Sequence, residues 1–153
     1  MERDNKLIVE QSLLMRADCL QIASVTAMPV QTMEKLAHIV RLKECYANAF
    51  RVANLMQLDV VFGAVLLGEL AIEHAWVAEP LGQHFDPTLQ LLLGPDLTLG
   101  SQHFELYRIS MAGYLNAMIE LNTKQCAIDM LHLRRSPTLR RLFGTSQGRA
   151  ASG

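Results

Sequence analysis

Residues 60–67 and 70–78 read Val-Val-Phe-Gly-Ala-Val-Leu-Leu and Leu-Ala-Ile-Glu-His-Ala-Trp-Val-Ala, two long β-branched and aliphatic runs separated at Gly68. Such runs, bounded by glycine and proline, predict paired strands. The middle of the chain is therefore expected to be a sheet. Pro80-Leu81-Gly82 supplies the next turn. Residues 83–93 read as a third strand, broken at Pro87 and ended by Gly94-Pro95-Asp96, and residues 104–109 as a fourth.

The flanks have helical period. Residues 5–23 predict one amphipathic helix, through Leu7, Ile8, Leu14, Met15, Leu20 and Ile22. Pro29 interrupts, and Thr32 is the expected N-cap of a short second helix through Leu36, Ile39 and Val40. A third begins near Glu44, placing Cys45, Ala49, Val52, Ala53 and Met56 on one face. Helix returns at Met111, Leu115, Met118 and Ile119, and continues or restarts over residues 128–133. Ser136-Pro137 then reads as an N-cap and first-turn proline for a last helix holding Leu139, Leu142 and Phe143. Helices, an antiparallel sheet, then helices make an α+β fold.

The 153 residues are half apolar, 19% charged and carry a net charge of −1. That is enough chain for one well-cored domain, expected over residues 1–143, with 144–153 a flexible tail. The balance argues against electrostatic capture of nucleic acid or an anionic membrane. Cys19, Cys45 and Cys126 form neither a disulfide framework nor a zinc pattern, which points to a reducing compartment. The N-terminal Met-Glu-Arg-Asp-Asn-Lys is unlike a signal peptide, and no apolar run reaches the roughly 18 residues of a bilayer span. A cytoplasmic protein, with no cofactor, is the expectation.

Three residues carry chemistry. Cys45 lies in Lys-Glu-Cys-Tyr-Ala-Asn-Ala, His74 in Glu-His-Ala-Trp-Val and Asp86 in Asp-Pro-Thr. A thiol, an imidazole and a carboxylate are the parts of a nucleophile, its base and the group that orients the base. A cysteine in a helix's first turn faces unpaired N–H groups and the positive end of the helix dipole, a setting that favours a thiolate and can receive an oxyanion. A hairpin turning at Pro80 would set His74 opposite Asp86 on one sheet face, alongside Trp76, unless the register slips by one.

These motifs resemble the transglutaminase-like branch of the papain-like cysteine peptidase superfamily, in which a helix-start cysteine precedes a His-Ala-Trp strand and an Asp-Pro-Thr strand. They also resemble small uncharacterised bacterial and phage proteins with a Cys-aromatic-x-Asn-Ala helix followed by Glu-His-Ala-Trp and Asp-Pro-Thr. The resemblance covers residues 40–93, with spacings of 29 and 12 residues between the three groups. It implies a papain-like core, with the Cys45 helix packed on an antiparallel sheet carrying His74 and Asp86. It also implies thiol-dependent hydrolysis or acyl transfer at an amide bond, with a peptide or protein substrate. The upstream side chain that completes the oxyanion hole in that superfamily has no diagnostic match here. Gln21 and Gln31 are candidates, and Gln11 also precedes Cys45.

Each residue alone has a plainer reading. A helical cysteine is commonly a small buried apolar group, and Glu44 would oppose a thiolate if it turned inward. Trp76 reads as core or site wall, Asn48 as part of the helix face, and Glu73 as solvated. A metal site drawn from Cys45, His74, His84 and Asp86 lacks any ligand-motif spacing, so no metal is expected. His38, His103 and His132 are scattered and without pattern. Arg134, Arg135, Arg140, Arg141 and Arg149 read as a solvated helix face rather than a phosphate-binding surface. Rival functions are an inactive scaffold that binds a macromolecule, such as a phage- or mobile-element-encoded factor, and transglutaminase or deamidase chemistry.

Overall fold

A computed structural model describes residues 2–121 and 127–145. Helix α1 (Glu2–Leu13) leads through a 3₁₀ turn (Ala17–Cys19) to strand β1 (Gln21–Ala23), helix α2 (Val30–Leu36) and helix α3 (Cys45–Met56). Strands β2 (Asp59–Leu67), β3 (Leu70–Ala78) and β4 (His84–Phe85) follow, then helices α4 (Pro87–Leu93) and α5 (Pro95–Gly100). Strand β5 (Gln102–Ile109), helices α6 (Met111–Leu121), α7 (Met130–Arg135) and α8 (Pro137–Leu142), and strand β6 (Gly144–Thr145) complete the order.

The strands form one antiparallel sheet, ordered β1-β5-β2-β3-β4, with β6 also on β5. The β2–β3 hairpin pairs Asp59 with Ala78 through Leu67 with Leu70. Gly68 occupies the left-handed region at its turn (φ 63°), where other residues are strained. Residues 25 and 26 meet β4 through a Val25–His84 bridge and a 2.8 Å bond from the Thr26 N–H to the His84 carbonyl. The chain just after one edge strand thus touches the other edge strand, and the sheet curls.

Curling makes the two faces unequal. Phe62, Ala64, Ala75, Val77 and Phe104 share the outer face and join the main core, with Ala49, Val52 and Ala53 of α3 and Tyr114 of α6. Val61, Trp76 and Ala78 form a small separate cluster on the inner face. His74 follows the Trp76 side of β3, because strand side chains alternate. The α+β order matches the sequence expectation, and the two central strands fall within a residue of it.

Other boundaries differ, for local reasons. The first helix ends at Leu13, with Leu14 in the left-handed region (φ 58°), and residues 21–23 join the sheet instead. Pro29, not Thr32, is the N-cap of α2. Residues 83–93 are not one strand: only His84 and Phe85 pair with β3. Asp86 accepts from the Leu89 N–H at 3.0 Å with Pro87 at the first helical positions, so Asp-Pro-Thr starts a helix. After α6 the helix restarts at Met130, behind an Asp129–His132 capping box. Ser136 and Pro137 open α8 as expected. Gly144 and Thr145, placed by sequence in a flexible tail, pair with β5; the rest of that tail lies outside the described residues. No described helix is long and apolar enough to cross a membrane.

Candidate active site

The first turn of α3 carries Cys45, which is partly buried. Its neighbour Tyr46 sets its ring edge-on to Phe62 at 5.3 Å, and Phe62 is the β2 partner of Ala75. That contact docks the start of α3 against β3 beside His74. The His74 ring hydrogen-bonds through Nε2 to Asp86 Oδ2 at 2.7 Å, and Cys45 lies near enough to favour its charged form. With Nε2 committed to the carboxylate, Nδ1 is the nitrogen left for the thiol. The structure brings all three together.

The strand register differs from the one that suggested this. Ala78 lies opposite His84, where a 74–86 pairing would put it opposite Gly82. A shift of two residues keeps every side chain on its face, so His74 and Asp86 still meet. Asp86 reaches across from the cap of α4, just beyond the short β4 ladder.

Asp86 is fully buried and holds three donors. Oδ1 takes the Leu89 N–H; Oδ2 takes Nε2 of His74 and Nε2 of His103, both at 2.7 Å. Burial alone would raise the carboxyl's pKa, but the His74 charge and the bonds from His103 and His74 hold it well below the usual carboxylate range. On His74, burial opposes the charged form. The Asp86 charge and bond, with the nearby Cys45, outweigh it and push the imidazolium up to about 10.

His103, which stands in the sequence as one of three scattered histidines without pattern, belongs to this cluster. It is buried on β5, edge-on to Trp76 at 5.0 Å. A signal was available: His103 and Glu105 stand two apart in an otherwise largely apolar strand, so they share a face. Trp76 is fully buried, lies 6.2 Å from the His74 ring and donates Nε1–H to His84 Nδ1 at 2.9 Å. His84 thus serves Trp76 and lies 3.1 Å from Arg108, rather than joining a ligand set with Asp86 and Cys45. Beyond it, a cavity of about 330 Å³ is lined by Gln21, Ile22, His84, Glu105 and Arg108.

Among the described residues, His74, Asp86 and His103 are the group whose donor atoms converge for a metal, all within 4.8 Å. The 2.7 Å contacts to Asp86 are charge-assisted hydrogen-bond lengths. Ligands around a tetrahedral zinc would stand roughly 3.3 Å apart.

Asn48 is buried and does more than form a helix face. It brackets Arg41, accepting its N–H and donating to its carbonyl, and donates to Thr88 Oγ1 at 2.9 Å. The last bond ties the Cys45 helix to the Asp86 helix. Gln90, buried two residues later, likewise holds the Met28 backbone. Gln21 and Gln31 are exposed, on β1 and α2, and lie outside the buried cluster. Glu44 pairs with Arg51 at 3.6 Å and provides no side-chain cap for α3. Glu73 pairs with Arg134, and Arg140 bonds the Leu133 and Arg134 carbonyls, so these charges brace the fold. Cys126 and Arg149 lie outside the described residues.

No family model, no curated protein and no solved structure matches the chain.

Proposed function

We propose that this chain is a thiol-dependent hydrolase of peptide or isopeptide-type amides, built on a papain-like, transglutaminase-like core. The observation that carries the reading is the convergence of Cys45, His74 and Asp86: a ring nitrogen bonded to a buried carboxylate, with a helix-start thiol near enough to favour the charged ring.

Cys45 Sγ, its proton passed to His74, would attack the amide carbonyl. First-turn N–H groups of α3 would face the developing oxyanion, since Glu44 leaves that end without a side-chain cap. His74 would then protonate the departing amine, leaving an acyl group on Cys45. Water, deprotonated by the same imidazole, would attack the thioester and release the acid, returning the proton to Cys45. Asp86 would keep the imidazole oriented and support its charge throughout. Transglutaminase or deamidase chemistry would share the acyl-enzyme and differ in donor and acceptor.

The test is iodoacetamide labelling at each cysteine, read by mass spectrometry from acid to mildly alkaline pH. Cys45 should label far faster than Cys19 and Cys126 at low pH, and His74→Ala should remove the difference. Uniform, ordinary labelling would favour a binding scaffold instead. With an amide substrate in hand, Cys45→Ala should abolish turnover in a folded protein.

A further inference from the structure

We propose that His103 is a fourth member of the site, a positioning residue whose Nε2–H holds Asp86 ionised and aimed at His74. The inference rests on the thiol-hydrolase reading of Cys45.

Three elements meet at the Asp86 carboxylate: α4 supplies the Leu89 N–H, β3 supplies His74 and β5 supplies His103. Both imidazoles address the same oxygen, Oδ2, at 2.7 Å. An ionised carboxylate only accepts, so each ring must carry its proton on Nε2. For His74 that tautomer leaves Nδ1 with a lone pair to receive the Cys45 proton. For His103 it leaves Nδ1 to face the Ser101 hydroxyl, 3.5 Å away. His103 is buried at 1% exposure and its ring is fixed edge-on to Trp76, so it is an immobile donor.

The second donor matters because the Asp86 carboxylate is fully buried. A buried carboxylate with too few donors recovers its proton at a higher pH. It also competes with the imidazole for the proton that forms the ion pair. Sharing Oδ2 with His103 lowers the basicity of Asp86, so the proton stays on His74 when Cys45 gives one up. Asp86 lies below the ordinary carboxylate range partly through this bond.

The experiment is the pH profile of Cys45 alkylation by iodoacetamide in wild type, His103→Leu and His103→Gln, with circular dichroism confirming the fold. His103→Leu should move the acid limb upward by about one pKa unit, slowing Cys45 by about fivefold at the wild-type midpoint and about tenfold well below it. His103→Gln keeps an N–H donor at the position of Nε2 and should restore most of the rate. An activated wild-type Cys45 whose profile superimposes on that of His103→Leu, or equal shifts in both variants, would overturn the inference alone. An ordinary thiol profile in the wild type would overturn the hydrolase reading and the role of His103 with it. Should His103→Leu fail to fold, imidazole nitrogen NMR of the labelled wild type decides. A proton on His103 Nε2 supports the bond, and an unprotonated Nε2 ends it.

Discussion

The two faces of the curled sheet are made by the same strands, often by adjacent residues, yet follow opposite rules. On the outer face Phe62, Ala75, Val77 and Phe104 pack against helices, and burial of apolar surface is the whole interaction. On the inner face His74, His103, Glu105 and Arg108 are drawn in beside Trp76, and each needs partners. The outer face tolerates any well-shaped apolar substitute. The inner face depends on directed bonds, and these set where His74 and Asp86 stand. Stability and reactivity should therefore separate by face.

The largest effect belongs to the outer layer. Phe143 is fully buried against Phe62 and Tyr114, and Phe143→Ala should lower unfolding free energy by about 3–5 kcal/mol. Cys45 labelling per folded molecule should stay near wild type. A slowed thiol in that variant would break the separation.

Gly63 tests the inner side. It faces both His74 and Glu105 across the ladder, and a Cβ there would lie 1.9 Å from the Phe104 carbonyl oxygen. Gly63→Ala forces β2 and β5 apart at a bulge, costing about 1–3 kcal/mol. Because His103 rides on β5, Cys45 labelling should fall more than the stability loss explains. Urea denaturation and labelling on one sample compare the two.

The pH dependence of stability sharpens the same contrast. His74 is held above its ordinary 6.5, so its contribution is full below 6.5 and is lost as pH rises toward about 10. Asp86 is held below its ordinary 3.8, so its contribution is present above 3.8 and lost as pH falls through the folded value. The pair is at full strength between those ordinary values. The wild-type urea midpoint should fall relative to His74→Gln as pH rises above 6.5. Parallel curves would mean the pair adds nothing.

Thr88→Val removes the hydroxyl that joins α4 to Asn48, leaving a buried amide short of a partner. A loss of about 1–3 kcal/mol is expected, with Cys45 labelling slowed because the thiol helix is no longer tied to Asp86. Smallest is Glu73→Gln, which breaks the partly exposed pair with Arg134. It should change stability by under about 1 kcal/mol and leave labelling alone.

Much of this was legible along the chain. Residues 60–67 and 70–78 announce a hairpin because local β texture and a glycine at the turn agree, and the structure keeps those bounds but for one residue, Asp59. The start of α3 at Cys45 follows from its periodic face. Asp-Pro-Thr misled as a strand, although aspartate before proline is also a helix-start signal, and Asp86 serves as that cap. The short β1 was hidden because three residues carry no pattern of their own and pair only where β5 presents an edge.

By itself, then, the sequence determined the α+β order and the central hairpin, because those depend on near neighbours, and singled out Cys45, His74 and Asp86 by their local settings. Tertiary structure decided what meets across distance. The curl of the sheet brought His103 onto the oxygen that holds His74, and Thr88 onto the helix of Cys45. A side chain's long-range partner depends on strand order and register, and no local propensity encodes either.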